Sequence, residues 1–310
     1  MRVAQAAMPP FKLGSRGSPL ALVQANLVRD ALLAAHGWDA ARIEIVTIRT
    51  TGDRVQDRPL AEIGGKALWT KELDRALLEG EIDCAVHSMK DVETFRPDSI
   101  ALGAVLARAD VRDRLIGAQT VAALEQGAVV GTSSPRRAAQ LRKLRPDLGI
   151  VMFRGNVDTR LAKVAAGEAD ATILAAAGLD RLGRSEGAAI PVETMLPAPA
   201  QGAVGVEVRA DDIDAQRIVA AIDHGETHAC ILAERALLAS LHADCHSPVG
   251  ALATIEGAIL TLRAELLSED GAHSVHAQEA GAPGDEALPR AIARDLLDRA
   301  PPEVRRLFDG

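Results

Sequence analysis

Gly14-Ser15-Arg16-Gly17-Ser18-Pro19 and Gly131-Thr132-Ser133-Ser134-Pro135 are the two stretches on which the fold turns. In each, a short apolar run gives way to a polar loop, and Ser-Pro opens an amphipathic segment. Ser is a favoured helix N-cap, and Pro suits the first helical position because its missing N–H would be unpaired there anyway. Upstream lie Phe11–Gly14 and Ala128–Gly131, both strand-like. Downstream, Leu20, Val23 and Leu27 follow the first start, and Ala138, Leu141 and Leu144 the second, at helical spacing. One strand–loop–helix start used twice predicts two lobes of one architecture.

Working outward, Ile43–Arg49 reads as a strand, Thr70–Leu78 as a helix closed by Gly80, and Cys84–His87 as a strand. After the second start come a strand at Ile150–Arg154, a helix at Val157–Ala166 and a strand at Ala171–Leu174. This rhythm predicts α/β sheets with helices on both faces. Leu196–Gly202 is a Pro-rich crossing, and Ala203–Val208 reads as a strand returning to the first lobe. Beyond it the character changes. Thr227–Leu241 is a helix with Ala229, Leu232, Ala233, Ala236 and Leu237 on its apolar stripe. Leu260–Leu267 and His273–Gln278 flank a hairpin turn, and Leu288–Leu297 closes with a helix. The expected division is residues 1–106 with 203–222, residues 107–202, and a C-terminal α+β domain at 223–310.

Composition excludes several classes. The chain has 310 residues, 48% hydrophobic and 25% charged, enough for two or three buried cores and too apolar for disorder. A net charge of −8 argues against a nucleic-acid partner, and 2% aromatics with no Tyr argue against a base-stacking platform. No apolar run reaches the ~20 residues of a membrane span, and Met1–Pro10 lacks the pattern of a secretory signal. Three cysteines, Cys84, Cys230 and Cys245, suit a reducing cytoplasm. Nothing demands an oligomer, so a monomer is expected.

The cations carry the chemistry. Arg16, Lys90, Arg136, Arg137, Arg154, Arg160 and Arg181 all fall near strand-to-helix junctions. In doubly wound sheets those junctions gather where ligands bind. A cation in a first helical turn opposes the helix dipole, so a fold tolerates it more readily if an anion binds there. Arg predominates over Lys, which suits forked recognition of carboxylate or phosphate. The implied ligand is small and carries several anionic groups.

Asp91, beside Lys90 and just past a strand, suits a general acid or base, or a stabiliser of a developing cation; it also suits a cap. Cys245, in His242-Ala243-Asp244-Cys245-His246-Ser247-Pro248, is expected in an exposed loop. It reads as a nucleophile, as a plain loop cysteine, or, with His242 and His246, as part of a metal-ligand set that lacks a partner pair elsewhere. Cys84 and Cys230 read as core. No P-loop or dinucleotide fingerprint is present. On residues alone, the lobes and cations also fit a binding protein for an anionic metabolite, and Cys245 fits a thiol-dependent transferase.

Taken in order, the motifs resemble the porphobilinogen deaminase (hydroxymethylbilane synthase) family. The resemblance runs from Lys12 to roughly residue 300. Its carriers are Ser15–Leu22, Gly64-Gly65-Lys66 with Lys71-Glu72-Leu73, Ala85–Val92, Gly131–Arg137, Arg154-Gly155-Asn156-Val157 with Thr159-Arg160-Leu161, Ala177-Gly178-Leu179, Gln201-Gly202-Ala203, and Cys245 with Pro248 and Gly250. The resemblance implies two lobes like type II periplasmic binding proteins, with doubly wound mixed sheets, and a small α+β domain bearing a cofactor cysteine. It implies a transferase that deaminates porphobilinogen and joins four molecules head to tail into hydroxymethylbilane, in tetrapyrrole and haem biosynthesis. The cofactor would be a dipyrromethane held by a thioether to Cys245, with no metal.

Carried over by motif, Lys90, Arg136 and Arg137, with Ser133 and Ser134 nearby, would hold cofactor carboxylates. Arg16, Ser18, Arg154, Arg160 and Arg181 would hold substrate and the growing chain. Asp91 would meet pyrrole nitrogens as a buried carboxylate and stabilise the azafulvene cation left by ammonia. Departures are Glu93 where Pro is usual, Ala243-Asp244 where Gly-Gly is common, Pro135 for Leu, Ala200 for Gly and Trp69 for Phe. Asp244 bears most on cofactor attachment, since it sets a negative charge beside the cysteine.

Overall fold

The computed structural model describes residues 9–48 and 70–308. Arg49, the Gly64-Gly65-Lys66 motif and Trp69 lie outside the described residues. The chain separates into two compact units. The first takes in residues 9–48 and 70–88, Arg96–Leu106 and Val204–His224; the second takes in Met89–Phe95, Ala107–Ala203 and the chain from Gly225.

The first unit is built on a five-stranded sheet of β1 (Phe11–Arg16), β2 (Ile43–Ile48), β3 (Cys84–Ser88), β4 (Ile100–Val105) and β10 (Val204–Arg209), in the order β2-β1-β3-β10-β4. The first three run parallel, while β10 is antiparallel to both neighbours. The Ser18-Pro19 start behaves as its chemistry requires: Ser18 Oγ accepts from Ala21 N–H at 3.3 Å and opens α1 (Pro19–His36). One sheet face packs Leu13, Val86 and Val206 against Val28 and Leu32 of α1. The other face buries Ile82 and Ala85 beside Leu73 and Leu77 of α2 (Lys71–Leu78). Arg96 forks onto Asp74 (2.6 and 2.9 Å) and Glu207 (2.7 and 2.9 Å). Burial opposes the Glu207 charge, but His87, 3.1 Å away, and Arg96 together hold its carboxyl down to about 2.

The second unit repeats the scheme. Its sheet is β5 (Asp113–Ile116), β6 (Val129–Gly131), β7 (Gly149–Val151), β8 (Ala171–Ala175) and β9 (Ala188–Ala189), ordered β7-β6-β8-β5-β9. Again three strands are parallel, and the fourth, β5, is antiparallel to both neighbours. The two lobes predicted from the repeated Ser-Pro start thus share one pairing pattern. Helices α3 (Pro135–Leu144), α4 (Val157–Ala165) and α5 (Ala176–Arg181) belong to this lobe.

The same unit carries the C-terminal α+β domain. Strands β11 (Val249–Glu256), β12 (Ile259–Leu267) and β13 (Ser274–Gly281) form an antiparallel sheet. It is covered by helices including α7 (Gly225–Ser240) and α8 (Ala287–Arg299). The expected β12–β13 hairpin is present. The expected stripe of α7 is corrected. Its buried face runs through Thr227, Cys230, Ile231, Glu234 and Leu237, while Leu232 is 51% exposed. A carboxylate, Glu234, sits at the centre of the face because it is fully paired. It receives Arg108 at 2.6 and 3.0 Å, Ala200 N–H at 2.5 Å and Ala253 N–H at 2.7 Å.

Candidate active site

Ten of the twelve residues singled out from sequence lie in the second unit; Arg16 and Ser18 belong to the first. Arg16 ends β1 and Ser18 caps α1.

Lys90 and Asp91 stand on a single 3₁₀ turn, Met89–Asp91, whose first N–H donates to Ala203 O at 3.1 Å. Lys90 is half-buried, and among the described residues no carboxylate comes within ion-pair distance of it. Loss of water lowers its ammonium to about 8, with Arg137 and Arg136 adding to the drop and Asp91 and Asp113 opposing it. Asp91 is exposed, which corrects the expectation of a buried carboxylate: the 3₁₀ turn ends there, past the last sheet residue.

Arg136 and Arg137 occupy the first turn of α3, which Ser134 caps by accepting Arg137 N–H at 3.4 Å. Both were expected to hold cofactor carboxylates; both are buried, at 2% and 6% exposure. The reason is Asp113, 2% exposed, which accepts Arg136 Nη2 at 2.8 Å, Arg137 Nη2 at 2.7 Å and Gln201 Nε2 at 2.8 Å. Burial opposes the Asp113 charge, yet Arg136 and Arg137 hold its carboxyl well below the ordinary range. Arg136 also donates to Gln140 Oε1 (2.8 Å) and Leu196 O (2.7 Å), and Arg137 to Ile173 O (2.9 Å). Each guanidinium keeps a buried Nε–H with no partner. A forked cation with one donor left over still has something to offer a carboxylate.

Arg154 and Arg160 flank Gly155, whose φ of 104° makes the tight entry to α4 that a Cβ would block against Thr159. Arg160 donates to Gly155 O at 3.0 Å and to Ser133 Oγ at 3.1 Å, with no carboxylate partner among the described residues. Loss of water, then Arg137 and Arg154, bring it down to about 10 against the pull of Asp91. Arg181, at the end of α5, donates to Gly202 O at 2.7 Å, and burial lowers it too.

Cys245 is accessible to solvent, as expected, whereas Cys84 and Cys230 are buried. Protein crowding around the thiol and the carboxylates of Asp244, Asp91 and Glu93 push it up to about 12. Asp244 has a structural reason: its Oδ1 accepts His246 N–H (2.9 Å), and Ser247 N–H returns to Asp244 O (3.0 Å), closing a turn around the cysteine. Among the described residues no three His, Cys, Asp or Glu side chains are grouped as metal ligands.

The site therefore converges on Asp91, whose charge reaches Lys90, Arg160 and Cys245. An acid, three cations (Lys90, Arg160 and Arg181) without a carboxylate partner among the described residues, and a reachable thiol suit a polycarboxylate tethered through sulfur. The orphaned Arg136 and Arg137 Nε–H groups and the accessible Cys245 fit a thioether-linked group bearing several carboxylates. Sequence reading missed Asp113, Gln140, Thr94 and Arg235. Asp113 sits in the charged run Arg108–Arg114, which reads as a solvated face.

Comparison with known proteins agrees. Residues 11–217 match the family described as porphobilinogen deaminase, dipyromethane cofactor binding domain, and residues 228–298 match its C-terminal domain. The porphobilinogen deaminase of Sphingopyxis alaskensis is 56% identical over 306 residues, covering 96% of both chains. That of Paracoccus denitrificans is 51% identical, covering 94% of this chain and 95% of its own. A periplasmic substrate-binding protein of an ABC transporter from Coxiella burnetii has a TM-score of 0.41 at 16% identity, covering 68% of this chain and 91% of that one. Two matched domains in the right order, together spanning nearly all of the chain, leave one assignment: the chain belongs to the porphobilinogen deaminase family.

Proposed function

We propose the following division of labour for the family's reaction, in which porphobilinogen is deaminated and four units are joined into hydroxymethylbilane. Cys245 anchors the dipyrromethane, which when bound supplies the primer to which substrate rings are added. Lys90 and the remaining donors of Arg137 and Arg136 hold the primer's carboxylates, with Ser133 beside them. Ser134 is committed to capping α3 and keeps Arg137 oriented. Arg16, Ser18, Arg154, Arg160 and Arg181 take the acetate and propionate groups of substrate and growing chain.

Asp91 is the catalytic carboxylate. Loss of ammonia leaves the substrate cationic, and a carboxylate aimed at that charge lowers its energy and passes protons. Asp91 is exposed until substrate covers it; covering strengthens its field by removing water. The carrying observation is that Asp91 shares the Met89–Asp91 turn with Lys90, and that its charge acts on Lys90, Arg160 and Cys245 alike.

The chain acts as a cytoplasmic monomer without nucleic-acid partners. Its domains are 1–106 with 203–222, 107–202, and 223–310. Among the described residues, no helix is long and apolar enough to cross a membrane.

The test is intact mass of purified protein with turnover alongside. Wild type carries two linked pyrrole units; Cys245→Ser carries none. Asp91→Ala is loaded but loses nearly all ammonia release. An unmodified yet active wild type, or a near-normal rate in Asp91→Ala, overturns the assignment.

A further inference from the structure

The segment that bears Asp91 and the loop that bears Cys245 are joined by contacts that neither motif predicts. Arg235, on α7, points its guanidinium at three successive carbonyls just past Asp91. Its Nη2 donates to Glu93 O at 2.7 Å and Thr94 O at 3.3 Å, and its Nη1 to Val92 O at 3.4 Å. Thr94 Oγ1 then donates to Ala243 O at 2.7 Å, two residues before Cys245. Phe95 and His242 add a tilted ring contact at 6.2 Å.

Both ends of this bridge are internally fixed. On one side the Met89–Asp91 turn is tied by Met89 N–H to Ala203 O at 3.1 Å. On the other, Ala243 N–H returns to Leu238 O at 2.9 Å at the end of α7. The Asp244–Ser247 turn is closed three ways: Ser247 N–H to Asp244 O, Asp244 N–H to Ser247 Oγ (3.1 Å), and His246 N–H to Asp244 Oδ1. With each side held by its own hydrogen bonds, the Thr94 and Arg235 contacts between them set their separation.

We propose that Thr94 and Arg235 are positioning residues that clasp the Asp91 segment to the Cys245 loop, so that the catalytic carboxylate meets the Cys245-linked group at a fixed distance. This rests on the anchor role given to Cys245 above. Neither residue touches substrate. Catalysis by a positioned carboxylate is steep in distance: a displacement of about 1 Å can cost on the order of a hundredfold in rate.

Thr94→Val keeps shape and removes the hydroxyl, and Thr94→Ser keeps the hydroxyl. Three quantities are measured on each: loaded fraction by intact mass, kcat and KM per loaded molecule, and thermal midpoint. Thr94→Val is expected to load and stay folded, with kcat down at least tenfold and KM within about twofold, since ground-state carboxylate binding is untouched. Thr94→Ser is expected to restore kcat, and Arg235→Lys, which loses the fork, to behave like Thr94→Val. A Thr94→Val rate within twofold of wild type overturns the clasp. So does a rise in KM with unchanged kcat, or a loss that Thr94→Ser fails to rescue. Wild type without added mass overturns the anchor reading instead, so the two failures are distinct.

Discussion

Replacing Asp113 by Asn tests the centre of the cation cluster. The carboxylate is 2% exposed and takes three donors: Arg136 Nη2 at 2.8 Å, Arg137 Nη2 at 2.7 Å and Gln201 Nε2 at 2.8 Å. An amide keeps one acceptor oxygen but turns an NH₂ toward guanidinium donors. It also leaves two buried cations without a counter-ion. Removing one partner of a buried ion pair costs about 3–5 kcal/mol. For a cooperative unit of 150–250 residues that is about 6–20 °C in thermal midpoint at neutral pH. The pH dependence gives a second reading. The folded Asp113 lies below its unfolded value, so its contribution is present above the unfolded pKa, roughly 3.9, and fades as pH falls toward the folded one. The gap between wild type and Asp113→Asn should be full at pH 7 and shrink once pH drops below about 4. Calorimetry across pH 3–7 reads both. A gap under about 1 kcal/mol at pH 7, or one that stays constant down to pH 3, would refute the claim that Asp113 neutralises the pair.

Two further outcomes follow from the same site. Lys90 is lowered to about 8 and loses its charge as pH rises through that value. Unloaded Cys245→Ser protein should therefore bind porphobilinogen more weakly above pH ~8, with no such limb in Lys90→Gln, as read by calorimetric titration. Ala200 adopts φ 62°, a left-handed conformation that costs a non-glycine residue roughly 1–2 kcal/mol. Ala200→Gly relieves it against a backbone-entropy cost of ~0.5–1 kcal/mol, so a net gain of about 0–1.5 kcal/mol is expected in thermal melts, and a loss would contradict the strain.

What sequence could reveal was local. Ser18-Pro19 and Ser134-Pro135 announce α1 and α3 because capping and proline geometry act within four residues. The restart of one motif disclosed the two lobes, and the exposed Cys245 stood in a loop bounded by Pro248. Long-range pairing was hidden. Asp113 reaches Arg136 across 23 positions and Gln201 across 88, and nothing in the run Arg108–Arg114 separates it from a surface acid. Glu234 misled for the converse reason: a satisfied carboxylate sits on the buried face of α7, so the apolar stripe pointed at Leu232 instead. The strand β11 escaped notice because Ala and Gly dilute its pattern, although its residues Ala251 and Ala253 are buried.

The cations divide by how their charge is met. Arg96, Arg108, Arg136 and Arg137 each lie on a protein carboxylate and brace the fold. Lys90, Arg160 and Arg181 have no such partner among the described residues, and all three are lowered from their ordinary values. Shortage of acid is not the cause, since the chain has 43 acidic side chains against 35 Lys and Arg. The charge is therefore withheld where it would compete with a ligand. On the proposed reading, a bound carboxylate would restore at Lys90, Arg160 and Arg181 what loss of water takes away. Asp91 completes the logic. It shares the Met89–Asp91 turn with Lys90, its charge acts on Arg160 and Cys245 as well, and among the described residues it forms no ion pair of its own. A carboxylate already clasped by guanidinium, as Asp113 is, has less charge to lend to a developing cation. One left unclasped at the end of a fixed turn can lend nearly all of it.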